Sequence, residues 1–185
     1  MAATTPIALP GMHSPAAGFE APFEMLAGCH ERVQRSLQLL QRLVEHLAGH
    51  GADAQARAAA HDVWRYFAIA APEHHADEEL HVLPALHASG DAGLISAAER
   101  IHADHLSMDT IWQRLGPQLQ ALADAGLPWS NDALAPLREA AEAFVAIHAQ
   151  HVPLEEAIVF PAARARLDAE SQAAMGAEMA ARRRR

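Results

Sequence analysis

The sequence predicts an all-α protein: an up-down-up-down bundle of four helices with a short extra helix at the C-terminus. Three observations carry this. Hydrophobic residues make up 51% of the 185 positions and aromatic residues only 5%, with alanine and leucine prominent, which favours helices over a β-branched, aromatic-rich sheet protein. Apolar residues recur three and four apart along four long stretches. Short turn-like segments separate those stretches, and short connections make successive helices antiparallel neighbours. The length suits one domain with a full core.

Residues 1–18, MAATTPIALPGMHSPAAG, show no periodicity and read as an irregular arm, the bundle as 19–165, and 166–185 as a C-terminal segment with a basic tail. The first helix is expected from Pro22 to about Ala48, with Leu26, Val33, Leu37, Leu40, Val44 and Leu47 on one stripe and His30 among them; GHG at 49–51 stops it. A second runs from about Asp53 to His87, with Val63, Phe67, His74, Glu78 and Val82 near one face and a bend at Pro72. A third spans about Leu94 to Leu115, continuing past Gly116-Pro117 to Ala123 if the proline is tolerated, and carries Ile101, His105, Met108, Trp112 and Leu115. After the loop DAGLPWSND, where Ser130 or Asn131 can cap, the fourth carries Leu134, Leu137, Ala141, Phe144, His148, His151, Glu155 and Ile158 on one stripe. Asp168 to Met179 reads as a loosely held fifth helix, and Arg182 to Arg185 as a solvated tail.

The chain writes one motif twice. HHADEELHVLP, His74 to Pro84, returns as HVPLEEAIVFP, His151 to Pro161, 77 positions later. The other two helices repeat as well: His30, Val33, Leu37 and Leu40 match His105, Met108, Trp112 and Leu115 at a shift of 75. The chain is a doubled helical hairpin, each half bringing a lone histidine and a His-x-x-x-Glu. Side chains at i and i+4 share a helix face, so His74 with Glu78, and His151 with Glu155, each aim an imidazole and a carboxylate the same way. With His30 and His105, six polar groups converge in an apolar bundle, which is costly unless they are paired or coordinated. Mixed imidazole and carboxylate ligation suits iron, manganese or zinc, and six such groups can hold two ions bridged by the two carboxylates.

On His30, HHADEELHVLP, ADHLSMDTIWQRL and HVPLEEAIVFP, the chain resembles the hemerythrin-like, or HHE cation-binding, family over roughly residues 20–165. The resemblance implies a four-helix bundle around a non-haem centre, usually two iron ions bridged by carboxylates and an oxygen atom, in proteins that bind O2, sense oxygen, redox state or iron, or handle NO and peroxide. It carries His30, His74, Glu78, His105, His151 and Glu155 over as metal ligands. One position departs: oxygen carriers of the family have a histidine four residues before the third-helix ligand, where this chain has Ile101. His102, at i−3, is the candidate substitute.

His75, Glu79 and Glu156 follow the motif by one residue and suit outer or surface roles, while His81 and His148 suit hydrogen-bonding or pocket-wall roles. Pro153 calls for a bulge that re-aims the last pair, or else for His148 in place of His151. His13, His46, His50, His61 and His87 read as surface residues, Met108 and Trp112 as packing, and Cys29 as a small buried residue with a redox-active thiol as the alternative.

The net charge of −9 disfavours nucleic acid and anionic membranes. One cysteine, no secretory start and no stretch near the ~20 apolar residues of a membrane span point to a soluble, cytoplasmic protein. The function expected is a binding or sensing module for O2 or NO, or for cellular iron or redox state. The alternatives are a di-iron enzyme activating O2 or peroxide or reducing NO, and a purely structural metal site.

Overall fold

The computed structural model describes residues 18–124 and 129–184; most of the N-terminal arm and the tip of the loop before the fourth helix lie outside it. Helix α1 is Pro22–His50, opened by proline at its first position, where the missing N–H costs no hydrogen bond. Gly51, at φ 70°, ends it in a conformation that other residues rarely adopt.

Helix α2 covers residues 54–87 as Ala54–Arg65, a π-turn Tyr66–Ala70, Ala71–Asp77, a second π-turn Glu78–Val82, and Leu83–His87. Asp53 caps it through the Ala56 N–H at 2.9 Å. Helix α3, Ala92–Ala123, passes through Pro117 unbroken and is capped by Asp91, which accepts from Gly93 and Leu94 N–H. The 3-10 turn Asn131–Ala133 leads into α4, residues 134–164, built from Leu134–Leu154, a π-turn Glu155–Val159 and Phe160–Arg164. The Ser130 hydroxyl accepts from Asp132 N–H there. Helix α5 is Ala169–Arg182, capped by Asp168.

Each π-turn is followed at its second residue onward by a proline: Pro72, Pro84 and Pro161. A helical proline lacks its own N–H and crowds the carbonyl four residues back. Those carbonyls belong to Ala68, Leu80 and Ala157, the central residues of the three π-turns. The wider turn relieves the crowding, and each inserts one residue into the helical register. This is why Ile158, expected on the inner stripe, is 44% exposed, while Val159 and Phe160 turn inward.

The helices form a ring in which α1, α2, α3 and α4 each flank the next and α4 closes against α1; α2 and α4 are diagonal and meet at their last turns. Two apolar layers fill the bundle. One gathers Leu40, Leu43, Val63, Met108, Leu115 and Phe144; the other gathers Leu26, Leu86, Ile101, Val159, Phe160 and Met179. Four buried histidines and two buried glutamates lie between them.

The C-terminal segment differs from its expectation. Met175, Gly176 and Met179 are buried, so α5 is packed against the bundle, and Arg182 and Arg183 are ion-paired to the fully buried Asp77. They are not a solvated tail. His46 also departs from the surface role: it is 8% exposed, stacked on His50 and 3.0 Å from Asp53, the capping residue of α2.

Candidate metal centre

His30 on α1, His74 and Glu78 on α2, His105 on α3, and His151 and Glu155 on α4 are all at most 4% exposed. Their ligating atoms fall into two groups of four. One is His30, His74, Glu78 and Glu155; the other is His105, His151, Glu78 and Glu155. Both carboxylates serve both groups. Glu78 turns Oε1 to His74 Nε2 (3.2 Å) and Oε2 to His105 Nε2 (3.2 Å). Glu155 turns Oε2 to His30 Nε2 (3.1 Å) and Oε1 to His151 Nε2 (3.1 Å). The doubled sequence becomes a centre with approximate two-fold symmetry, in which each glutamate joins a histidine of its own helix to one on a neighbour.

These contacts are not hydrogen bonds. Nε2 of His30, His105 and His151, and all four carboxylate oxygens, are buried with no hydrogen-bond partner. Orphaned groups of this kind are expensive unless something else satisfies them. Two ligand atoms about 2.1 Å from one ion and at right angles to each other lie about 3 Å apart, close to the separations seen here. The donor set therefore fits metal ions, one per group.

An outer ring of carboxylates faces the far nitrogens of three of the four histidines. His30 Nδ1–H donates to Glu156 (2.9 Å) and His105 Nδ1–H to Glu79 (2.7 Å). Asp104 Oδ2 stands 3.6 Å from His151 Nδ1, while its Oδ1 accepts from Arg100 at 2.8 Å. Such partners fix the ring orientation and tautomer and raise ligand basicity. His74 Nδ1 and His151 Nδ1 are both buried without a hydrogen-bond partner, so only His30 and His105 are fixed in this way. In each Glu-Glu pair the first residue turns into the bundle and the second reaches the histidine of the adjacent helix. The doubled acids were the signal in the sequence; Asp104, next to His105, carried none.

The ionisation of the layer is set by burial and mutual charge. Burial pulls His74 down to about 3 and lowers His105 against the pull of Glu79. Burial also lowers His30, but Glu155 and Glu156 outweigh it and leave the imidazole above its ordinary value. Burial and the adjacent Glu155 push Glu78 well above the carboxylate range. Glu155 is held well below that range, its burial outweighed by the close imidazoles of His151 and His30.

His102 is not brought to either group: it is exposed and its Nδ1 contacts Glu79 at 3.0 Å, the same carboxylate that holds His105. His148 also stays outside both groups, donating from Nδ1 to the Phe144 carbonyl at 2.7 Å, and burial holds it down at about 4. The bulge expected at Pro153 is not there: the α-helix runs through Pro153 to Leu154, the π-turn Glu155–Val159 follows it ahead of Pro161, and His151 joins the second group without it. His75 stacks on His105, with ring centroids 4.2 Å apart, and faces a cavity of about 30 Å³ shared with His148, Met108, Phe144 and Trp112. His81 pairs with Glu178 at 2.8 Å. Cys29 is buried, which raises its pKa and keeps the thiol protonated, with Met25 Sδ 3.7 Å away.

The hemerythrin HHE cation binding domain matches residues 21–163. An uncharacterized protein of Haemophilus influenzae is 31% identical over 167 residues, 90% of this chain and 92% of that protein. No helix among the described residues is long and apolar enough to cross a membrane. With the match running from the start of α1 to the last turn of α4, across every residue of the polar layer, the chain belongs to the hemerythrin HHE cation-binding family.

Proposed function

We propose that the chain holds two non-haem iron ions, joined by Glu78, Glu155 and an oxygen atom, and that it takes up a small diatomic ligand, O2 or NO. The observation that carries this is the sharing of both carboxylates between two four-ligand groups. Nitrogen and oxygen ligands in this mixture suit iron, and four protein ligands leave positions of a six-coordinate ion open. Iron at such a centre supplies one-electron chemistry and open positions for a diatomic molecule.

The chain supplies the rest. Glu156 and Glu79 hold the imidazoles of His30 and His105 as Nδ1–H tautomers, so each Nε2 lone pair points inward. The two apolar layers exclude water on either side. The cavity behind His75 offers room for about one water-sized molecule, the scale of a diatomic ligand.

One observation favours an enzymatic reading beside simple binding. Ile101 stands in the apolar layer and His102 pairs with Glu79, so the α3 side offers a single imidazole and the two groups have equal ligand sets. Two equally open ions suit activation of O2 or peroxide, or reduction of NO, better than a reversible carrier does.

Elemental analysis with an optical spectrum through reduction and re-exposure to air tests the proposal. About two iron atoms per chain and a near-ultraviolet band that depends on oxidation support it. A zinc-only protein, or less than one metal per chain after anaerobic iron loading, refutes it. Many clean oxygenation cycles would favour the carrier, and rapid autoxidation the enzyme.

A further inference from the structure

We propose that α5, which lies beyond the family domain, is a positioning element for the metal centre. Arg182, Arg183 and Glu178 grip the outer ridge of the α2 turn whose inner face carries His74 and Glu78. The inference rests on the reading of Glu78 as a shared ligand.

Glu73, Asp77 and His81 are spaced four apart and form one ridge of α2. Charges on α5 complement them one by one. Arg182 Nη1 donates to the Glu73 side chain (3.2 Å) and to the Glu73 backbone carbonyl (3.1 Å). Asp77, fully buried, accepts from Arg182 Nη2 at 2.7 Å and from Arg183 at 3.0 and 2.6 Å. Glu178 pairs with His81 at 2.8 Å and with Arg182 at 2.8 Å. Charge-assisted bonds of this length are the strong kind, and a buried carboxylate stripped of its partners is strongly unfavourable.

The gripped turn spans residues whose ordinary helical bonding is interrupted by the π-turn Glu78–Val82, so an outside support there has leverage on the direction of Glu78. Helix α5 is itself seated firmly. Met175 and Met179 are in the second apolar layer, and the Arg183 guanidinium lies 5.4 Å from the centre of the Phe19 ring. The internal repeat provides the contrast. At the shift of 77, Glu73, Asp77 and His81 correspond to Gln150, Leu154 and Ile158, an uncharged ridge on α4. Only the α2 half of the repeat carries charges that match α5, so the grip acts on one side of an otherwise symmetric centre.

The test is titration of the metal-free full-length chain with cobalt(II), whose visible absorption reports coordination. Arg182→Gln/Arg183→Gln is expected to weaken binding of at least one of two ions about 10-fold or more and to alter the band, with helix content unchanged. Arg164→Gln, which breaks the exposed pair with Glu24, is the control and should change neither. If the double variant fails to fold because Asp77 is left unpaired, Asp77→Asn/Arg182→Gln/Arg183→Gln removes that buried charge and is read in the same way. Wild-type affinities and spectrum in the folded variant, even with a lower Tm, overturn the positioning role. A wild-type chain that takes up no cobalt overturns the metal reading and this proposal with it.

Discussion

Glu79 and Glu156 follow the two shared glutamates by one residue, yet they are expected to act on different ions. Glu79 accepts from His105 and Glu156 from His30, and those histidines belong to different groups. Loss of an outer partner of a ligating histidine typically costs about 10- to 100-fold in metal affinity, or about 1.4–2.7 kcal/mol. Side-chain exposure ranks the two: Glu156 is 48% exposed and Glu79 34%, so water replaces Glu156 more readily. Glu156→Ala is expected near the lower figure and Glu79→Ala above it, while Glu78→Ala removes a ligand from both groups and weakens both ions. Cobalt titration against a competing chelator measures this, with His30→Ala and His105→Ala as references for each ion. If Glu79→Ala and Glu156→Ala weaken the same ion, or lose as much metal as Glu78→Ala, the assignment of inner and outer carboxylates is wrong.

Three further outcomes are expected. Hydrogen bonds from Arg182 and His81 hold Glu178 at about 2, below the ordinary 4.5, so its contribution to stability is complete above pH 4.5 and is lost as the pH falls toward 2. Glu178→Gln should therefore lower the urea midpoint at pH 7 and leave it unchanged near pH 2; an equal loss at both would exclude the ionic role. A Cβ at Gly176 would meet the Phe19 carbonyl oxygen, which is backbone and cannot swing aside, so Gly176→Ala should cost about 1–3 kcal/mol in denaturant unfolding and release the C-terminal helix to proteolysis. Leu115→Ala, at a fully buried site in the first apolar layer, should destabilise by about 2–5 kcal/mol; less than 1 kcal/mol would contradict close packing there.

The bundle was legible in the sequence because its apolar stripes repeat with the helical period, and a period depends on near neighbours in the chain. The convergence of His30, His74, Glu78, His105, His151 and Glu155 was legible for a related reason: the i, i+4 spacing and the internal repeat place them at equivalent levels of successive helices. Local spacing says nothing about what a side chain meets across a gap. Burial of Asp77 between two arginines about a hundred residues away, the Glu79 and Glu156 contacts to other helices, and the exposure of His102 beside Glu79 were all decided by packing. Ile158 shows the same limit within one helix. Its place on the stripe holds for a uniform α-helix, and the π-turn ahead of Pro161 turns it to solvent because the proline ring and the Ala157 carbonyl compete for the same space. Residue types and intervals alone determine which face of each helix is apolar and which polar groups share it. Only the three-dimensional assembly determines the partners that hold those groups in place, because those contacts join residues far apart in the chain.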